Sequence, residues 1–354
     1  MSHHAIDFPP DQGHNVKISV INGATSKMRT DLVMDPAPAD KSHITLAGYS
    51  FLIESQNRGQ KVLFDLAFMT DLETRMPPAV KALFAGGEDM MTIEELQDVP
   101  STIQAHGIDL SAINAVIWSH AHIDHVGDPS VFPPSTKLVV GPGFKESCMP
   151  GYPTNPNSFI LESYFHGRTV HEVNLSTSDV TIGGFQAVDF FGDGSFFLLH
   201  APGHTAHHLC GLCRTTRESW VLLGGDACHH IGQLRPSPFR PLPDQVPTTA
   251  CTWNPPVEQC SCVYLPHLGP NKKKDTFYRL AAGMQEDLEQ AGETLEKLKA
   301  FDGRDDVLIV MTHDATLLPV LNLFPRTIND WRSEEVAERG RWLFLQELVE
   351  GAAT

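Results

Sequence analysis

Short runs of β-branched and aromatic residues, each stopping at a turn residue or a charge, set the rhythm of this chain. Val16 to Ile21, Ile44 to Glu54 and Lys61 to Leu66 read as strands, and Ala115 to Trp118 and Lys137 to Val140 continue the series. Further on, Val180 to Ile182 and Phe185 to Val188 flank Gly183-Gly184 as a hairpin. Strands follow at Phe196 to His200, Leu209 to Cys213, Trp220 to Leu223 and Val307 to Met311. Between Met69 and Gly107 the pattern turns helical, with breaks at Pro77-Pro78 and Gly86-Gly87. Ile93, Leu96, Val99 and Ile103 follow spacings of three and four, and Pro100 splits them into two short helices. Leu280, Met284, Leu288, Ala291, Leu295 and Leu298 predict one longer helix. Ser333 to Val349 predicts another, amphipathic and N-capped by Ser333. Two halves, each with several strands and a helix, point to an α/β protein.

Residues 1–15 read as a mobile tail ahead of one domain, 16–354, with insertions near 141–170 and 228–275. The insertions carry Phe144, Tyr152, Phe159, Tyr164 and Phe165, then Trp253 and Tyr264. Such aromatics would suit a small apolar or aromatic ligand, and would equally serve to pack the loops themselves.

Charge narrows the partners. With 26 Lys+Arg against 43 Asp+Glu the net charge is −17, a surface that repels phosphate backbones, so no nucleic acid is expected. Lys272 to Lys274 is the one basic block. No apolar run reaches the length of a membrane span, and the N-terminus has no signal-peptide core. Seven scattered cysteines without a signal favour reduced thiols and a cytoplasmic location. Cys210 and Cys213 form a CxxC on a predicted strand, where residues three apart face opposite ways, so packing is expected there.

The chemistry concentrates in Ser119 to Asp128, SHAHIDHVGD, just past the strand ending at Trp118. His120, His122, Asp124 and His125 can all bind metal. In extended chain His120, His122 and Asp124 would share a face while His125 turns the other way, which suggests two adjacent metal positions. Ligand-type residues recur past other strand ends: His204, Asp226 and His313. Seven such groups suit two ions with a shared carboxylate. Imidazole and carboxylate without thiolate suit zinc, with iron or manganese as alternatives. His200, His207, His208, His229 and His230 are competitors that periodicity leaves open. Asp65, at another strand end, reads as a partner orienting a ligand histidine or as a strand-end cap.

These motifs resemble the metallo-β-lactamase-fold hydrolases: SHAHIDHVGD, PGHTAHH around His204, LLGGDACHH around Asp226 and VMTHDA around His313. The resemblance spans roughly Val16 to Thr316 and implies an αβ/βα four-layer sandwich. It also implies that His120, His122 and His204 hold one metal, that Asp124, His125 and His313 hold the other, and that Asp226 bridges them. Within the superfamily the chain looks most like the dizinc lactonases, with two departures. His229 stands where those enzymes carry a tyrosine, and 87 residues separate Asp226 from His313, far more than in the compact lactonases. It also looks like fungal members with the same GGDACHH pattern, some of which open lactam or cyclic carbamate rings such as benzoxazolinones.

Two ions sharing a water bring its pKa towards about 7 and supply hydroxide for attack on a polarised carbonyl. The expected function is therefore opening of a small cyclic amide or ester by a metal-bridging hydroxide. Asp124 would bind metal and take the nucleophile's proton, and His229 would protonate the leaving atom, with His230 or water on the second metal as the other candidates. A thioesterase on the same centre, of glyoxalase II or acyl-carrier type, is the alternative, and a non-catalytic metal-stabilised binding module the next. The partners expected are a small cyclic substrate and, in a homodimer, a second copy of the chain.

Overall fold

Alternating apolar residues build two sheets in the computed structural model, which describes residues 7–9, 13–38, 41–83, 89–246, 259–260, 271 and 273–349. The first sheet uses β1 (Lys17–Arg29), β2 (His43–Ser55), β3 (Gln60–Phe64), β4 (Met91–Leu96), β5 (Ile113–Ile117), β6 (Lys137–Val140) and β7 (Val170–Glu172). Their spatial order is β4-β1-β2-β3-β5-β6-β7. The second uses β8 (Thr181–Ile182), β9 (Phe185–Asp189), β10 (Phe196–His200), β11 (Leu209–Thr216), β12 (Ser219–Leu223) and β13 (Val307–Val310), ordered β13-β12-β11-β10-β9-β8. β3, β5, β6 and β7 run parallel, as do β12 and β13, so these carboxyl ends lie on one edge.

Both faces of each sheet are buried, which explains why many strands are apolar at every position rather than at alternate ones. Phe51, Ile53, Phe64 and Ile117 meet Leu198, Val221 and Val310 between the sheets. On the far face of the first sheet, Leu52, Leu63, Val116 and Leu138 pack with Val99 and Ile103 of the helix Val99–Ala105. On the far face of the second, Leu199, Leu212, Leu222 and Ile309 pack with Ala291, Leu295, Leu298 and Phe301 of the helix Leu288–Asp302. Helix, sheet, sheet, helix is the expected αβ/βα sandwich. Cys210 and Cys213 follow the period-2 rule, one in the outer layer and one between the sheets, both as free thiols.

Three helix expectations are corrected. Ile93 and Leu96 lie in strand β4, paired with the edge of β1, because β-branched Thr92 and Ile93 fit an open strand edge. The helix begins only at Val99, capped by Asp98, with Pro100 in its first turn, where a missing N–H costs nothing. Leu280 pairs with Met34 and Ala282–Met284 is a 3-10 turn, so the long helix starts at Leu288, capped by Asp287. Ser333 to Val349 is broken into Val336–Gly340, Leu343–Leu345 and Gln346–Val349. Four consecutive buried residues, Trp342 to Leu345, cannot share one helical stripe. Ser333 caps nothing there and donates to the Asp330 carbonyl at 3.0 Å. Asp287 accepts from the Gln290 N–H at 3.0 Å. Asp287→Ala should therefore cost about 1 kcal/mol in urea unfolding, and Ser333→Ala less than about 0.5 kcal/mol.

Part of the expected tail is docked on the second sheet. Gly183 N–H donates to the Asp7 carbonyl at 2.7 Å, the Arg304 guanidinium covers the Phe8 ring at 4.0 Å, and His14 N–H donates to Asp193 at 3.0 Å. In the first insertion Phe144, Tyr164 and Phe165 surround Trp118 at 5.8, 6.0 and 6.5 Å. These rings pack around Trp118, as the packing alternative expects. The remaining tail residues, the Gly86-Gly87 break, Trp253, Tyr264 and Lys272 lie outside the described residues. Among the described residues no helix is long and apolar enough to cross a membrane.

Candidate metal centre

Strand ends from both sheets meet at one edge. β3 and β5 pair in parallel with Phe64 opposite Ile117, so Asp65 and the segment after Trp118 emerge side by side. β12 and β13 pair in parallel with Leu223 opposite Val310, which brings out Asp226 and His313 together. The two sheets are joined at this edge by the Leu209 N–H, which donates to the Ser119 carbonyl at 2.8 Å.

Two groups of donor atoms result, each with all members within 4.8 Å of one another: His120, His122, His204 and Asp226, then Asp124, His125, Asp226 and His313. Asp226 belongs to both. The extended-chain expectation for Asp124 is corrected: it leaves His120 and His122 and sides with His125. A helical turn, Ile123–Val126, begins right after His122 and rotates Asp124 to the other position. Gly127 ends that turn at φ +50, and a Cβ there would lie 2.4 Å from the Leu66 Cβ, so glycine is required for this tight return.

Neighbouring groups set the tautomers. His125 Nδ1–H donates to Asp65 at 2.8 Å and His313 Nδ1–H to the Ala47 carbonyl at 2.8 Å, which turns both Nε2 atoms inward. Asp65 also accepts from Ser119 N–H at 2.6 Å and from its hydroxyl at 2.7 Å. Asp65 thus orients a candidate ligand and ties β3 to the loop. Its Oδ2 bond with His125 persists although burial pushes its carboxyl up.

The fit to cations can be judged from the donors. His204 Nε2 lies 3.1 Å from His120 Nε2 and 2.9 Å from His122 Nδ1, so three ring nitrogens crowd together. Burial holds His120 and His204 well below the usual imidazole range. His125 Nε2 and Asp226 Oδ1 approach to 3.1 Å yet are both buried without a hydrogen-bond partner. Burial lowers His125, but the carboxylates of Asp226, Asp124 and Asp65 outweigh it and raise it well above its ordinary value. Crowded ring nitrogens beside buried carboxylates fit a pair of divalent cations.

The family model described as the Metallo-beta-lactamase superfamily matches residues 44–313. The chain belongs to this superfamily. It is 39% identical to "Metallo-hydrolase mfmC" of Annulohypoxylon moriforme, over 96% of this chain and 89% of that one. It is 35% identical to "Gamma-lactamase FDB1" of Fusarium pseudograminearum, over 95% and 83%. Among solved structures, a B. thuringiensis AiiA mutant with bound N-decanoyl-L-homoserine shares the fold, with a TM-score of 0.59 at 16% identity, over 89% of this chain and 100% of that one. The chain spans only 38% of the length of the Penicillium cytochrome P450 monooxygenase mpaDE proteins that it also matches.

In this metallo-beta-lactamase superfamily member the competing histidines separate cleanly. His229 faces the centre, with Nε2 3.4 Å from Asp226 Oδ2 and its ring stacked on His313 at 5.7 Å. His230 points away and bonds Glu347 at 2.8 Å. His200 bonds the Ala206 carbonyl at the surface, and His207 packs its ring against Phe144. His208 supports the centre without entering it. Its Nδ1–H donates to the Ala201 carbonyl, and its Nε2 accepts the Asp226 N–H at 2.9 Å. A side chain at Gly225, at φ +52, would collide with that ring. Sequence reasoning missed Ser119 and the Ala47 carbonyl. Ser119 adjoins the motif and could have been found, whereas a backbone carbonyl leaves no sequence signal.

Proposed function

We propose that the chain is a dinuclear zinc hydrolase that opens a small cyclic amide or ester: a lactam, a cyclic carbamate such as a benzoxazolinone, or a lactone. The observation that carries this reading is Asp226 shared between two four-donor groups. Relatives named as gamma-lactamases favour an amide-type ring. His120, His122 and His204 would hold one ion, Asp124, His125 and His313 the other, and Asp226 both. Five imidazoles and two carboxylates without thiolate favour zinc over iron or manganese. The cations, when bound, acidify water and polarise the ring carbonyl.

The chain's own residues supply the rest. Asp124, the more exposed of the two carboxylates at 17% against 2% for Asp226, would take the nucleophile's proton. His229 presents a buried ring whose two nitrogens have no hydrogen-bond partner, and it can deliver a proton to a departing nitrogen or oxygen. Free thiols at Cys148, Cys210, Cys213 and Cys228 fit a cytoplasmic location.

The test is elemental analysis of purified protein, followed by hydrolysis of lactones, lactams, cyclic carbamates and thioesters. Two zinc ions and ring opening are expected, and full activity without metal overturns the reading. An amide nitrogen needs a proton to leave and an activated ester does not. His229→Ala should therefore slow lactam opening about 10²-fold or more, with little effect on an activated ester. Equal slowing of both would remove His229 as the donor.

A further inference from the structure

His229 reaches the centre from a segment that is held with unusual completeness. Its own ring makes no hydrogen bond, yet the backbone N–H groups of His229 and His230 are both held by one side chain, Gln233, which is 1% exposed. Gln233 Oε1 accepts the His229 N–H at 3.0 Å and the His230 N–H at 3.2 Å. Its Nε2 donates to the Val33 carbonyl at 2.8 Å and to the Arg279 carbonyl at 2.8 Å. Val33 adjoins Met34–Asp35, and that short strand pairs with Arg279–Leu280. A single amide therefore lashes the His229 segment to two chain regions remote in sequence. His230 adds a second tie: its Nδ1 accepts the Gly232 N–H at 3.0 Å, and its Nε2 bonds Glu347 in the last helix at 2.8 Å.

We propose that Gln233 is the positioning residue that sets the His229 ring on the metal pair, acting only through His229. Both Oε1 lone pairs and both amide hydrogens are used, so the amide cannot rotate without losing four buried bonds. The inference rests on the reading of His229 as leaving-group donor. A donor misplaced by about 1 Å can lose 10²-fold in rate while the ligands themselves stay put.

Gln233→Met keeps the volume and removes all four bonds. It should lower kcat for lactam opening about tenfold to 10²-fold, with KM and zinc content little changed. In a His229→Ala background the same substitution should add less than about twofold. In metal-free wild-type protein the ¹⁵N-labelled His229 imidazole should give one sharp set of resonances, and in Gln233→Met a broadened or doubled one. Should Gln233→Met fail to fold, Gln233→Glu serves. A buried neutral carboxyl keeps the acceptor and one donor, and kcat should fall between wild type and His229→Ala. Equal slowing by Gln233→Met in both backgrounds, or unchanged His229 resonances, overturns the proposal. His229→Ala opening lactams at the wild-type rate refutes the donor reading itself. Slow His229→Ala beside wild-type rates in Gln233→Met or Gln233→Glu refutes only the positioning role.

Discussion

Asp226→Ala should abolish measurable ring opening and leave the purified protein with one metal ion or none. Among the described residues the carboxylate is the only group that belongs to both donor sets, so each set falls from four donors to three. Its Oδ2 lies 3.1 Å from His313 Nε2 and 3.8 Å from His120 Nε2, and its Oδ1 lies 3.1 Å from His125 Nε2. Burial alone would push its carboxyl up, but His125 and His313 outweigh that and hold it well below the usual range. Loss of Lewis-acid stabilisation worth several kcal/mol corresponds to a rate drop of about 10³-fold or more. The backbone around residue 226 is held independently by His208, so circular dichroism should stay native while metal content and rate fall together. A variant that retains two ions and full rate would remove Asp226 from the bridging role.

Asp302→Ala should produce the largest loss of stability, about 3–5 kcal/mol in urea unfolding of the metal-loaded protein. Arg235 meets Asp302 through Nε at 2.9 and 3.0 Å and through Nη2 at 2.6 Å, and its Nη1 donates to the Arg341 carbonyl at 2.8 Å. Both side chains are nearly sealed, at 6% and 2% exposure. Removing the carboxylate strands a guanidinium that burial penalises and that no longer has its partner. The double substitution Arg235→Leu with Asp302→Leu should therefore be milder than Asp302→Ala alone, because it removes the charge as well as the bond. If the single variant unfolds at the wild-type urea midpoint, the pair is solvated and this account of the second outer layer is wrong.

Much of this architecture is legible without coordinates. The strands at Val16, Ile44, Lys61, Ala115, Lys137, Phe196, Leu209, Trp220 and Val307 are each found close to where apolar periodicity places them. Failures fall where two local signals compete. Ile93 and Leu96 match a helical spacing and a β-branched strand equally, and the open edge of β1 decided for strand. The stretch from Ser333 to Val349 matches an amphipathic helix on average, but the run Trp342 to Leu345 needs burial on all sides and breaks it into turns.

The kinds of donor atom, their crowding within SHAHIDHVGD and their recurrence past strand ends are local properties of the chain, and the sequence alone determined them. Which donors converge is not local. His120, Asp226 and His313 meet because β3 with β5 and β12 with β13 run parallel, His204 joins them because β10 and β12 both pair antiparallel with β11, and a turn after His122 sends Asp124 to the other donor set. The separate positions and partners of His208, His229 and His230, three rings of one residue type in neighbouring segments, likewise come only from tertiary packing. An imidazole is a ligand, a brace or a clamp according to which lone pair its surroundings leave free, and those surroundings come from residues dozens to hundreds of positions away.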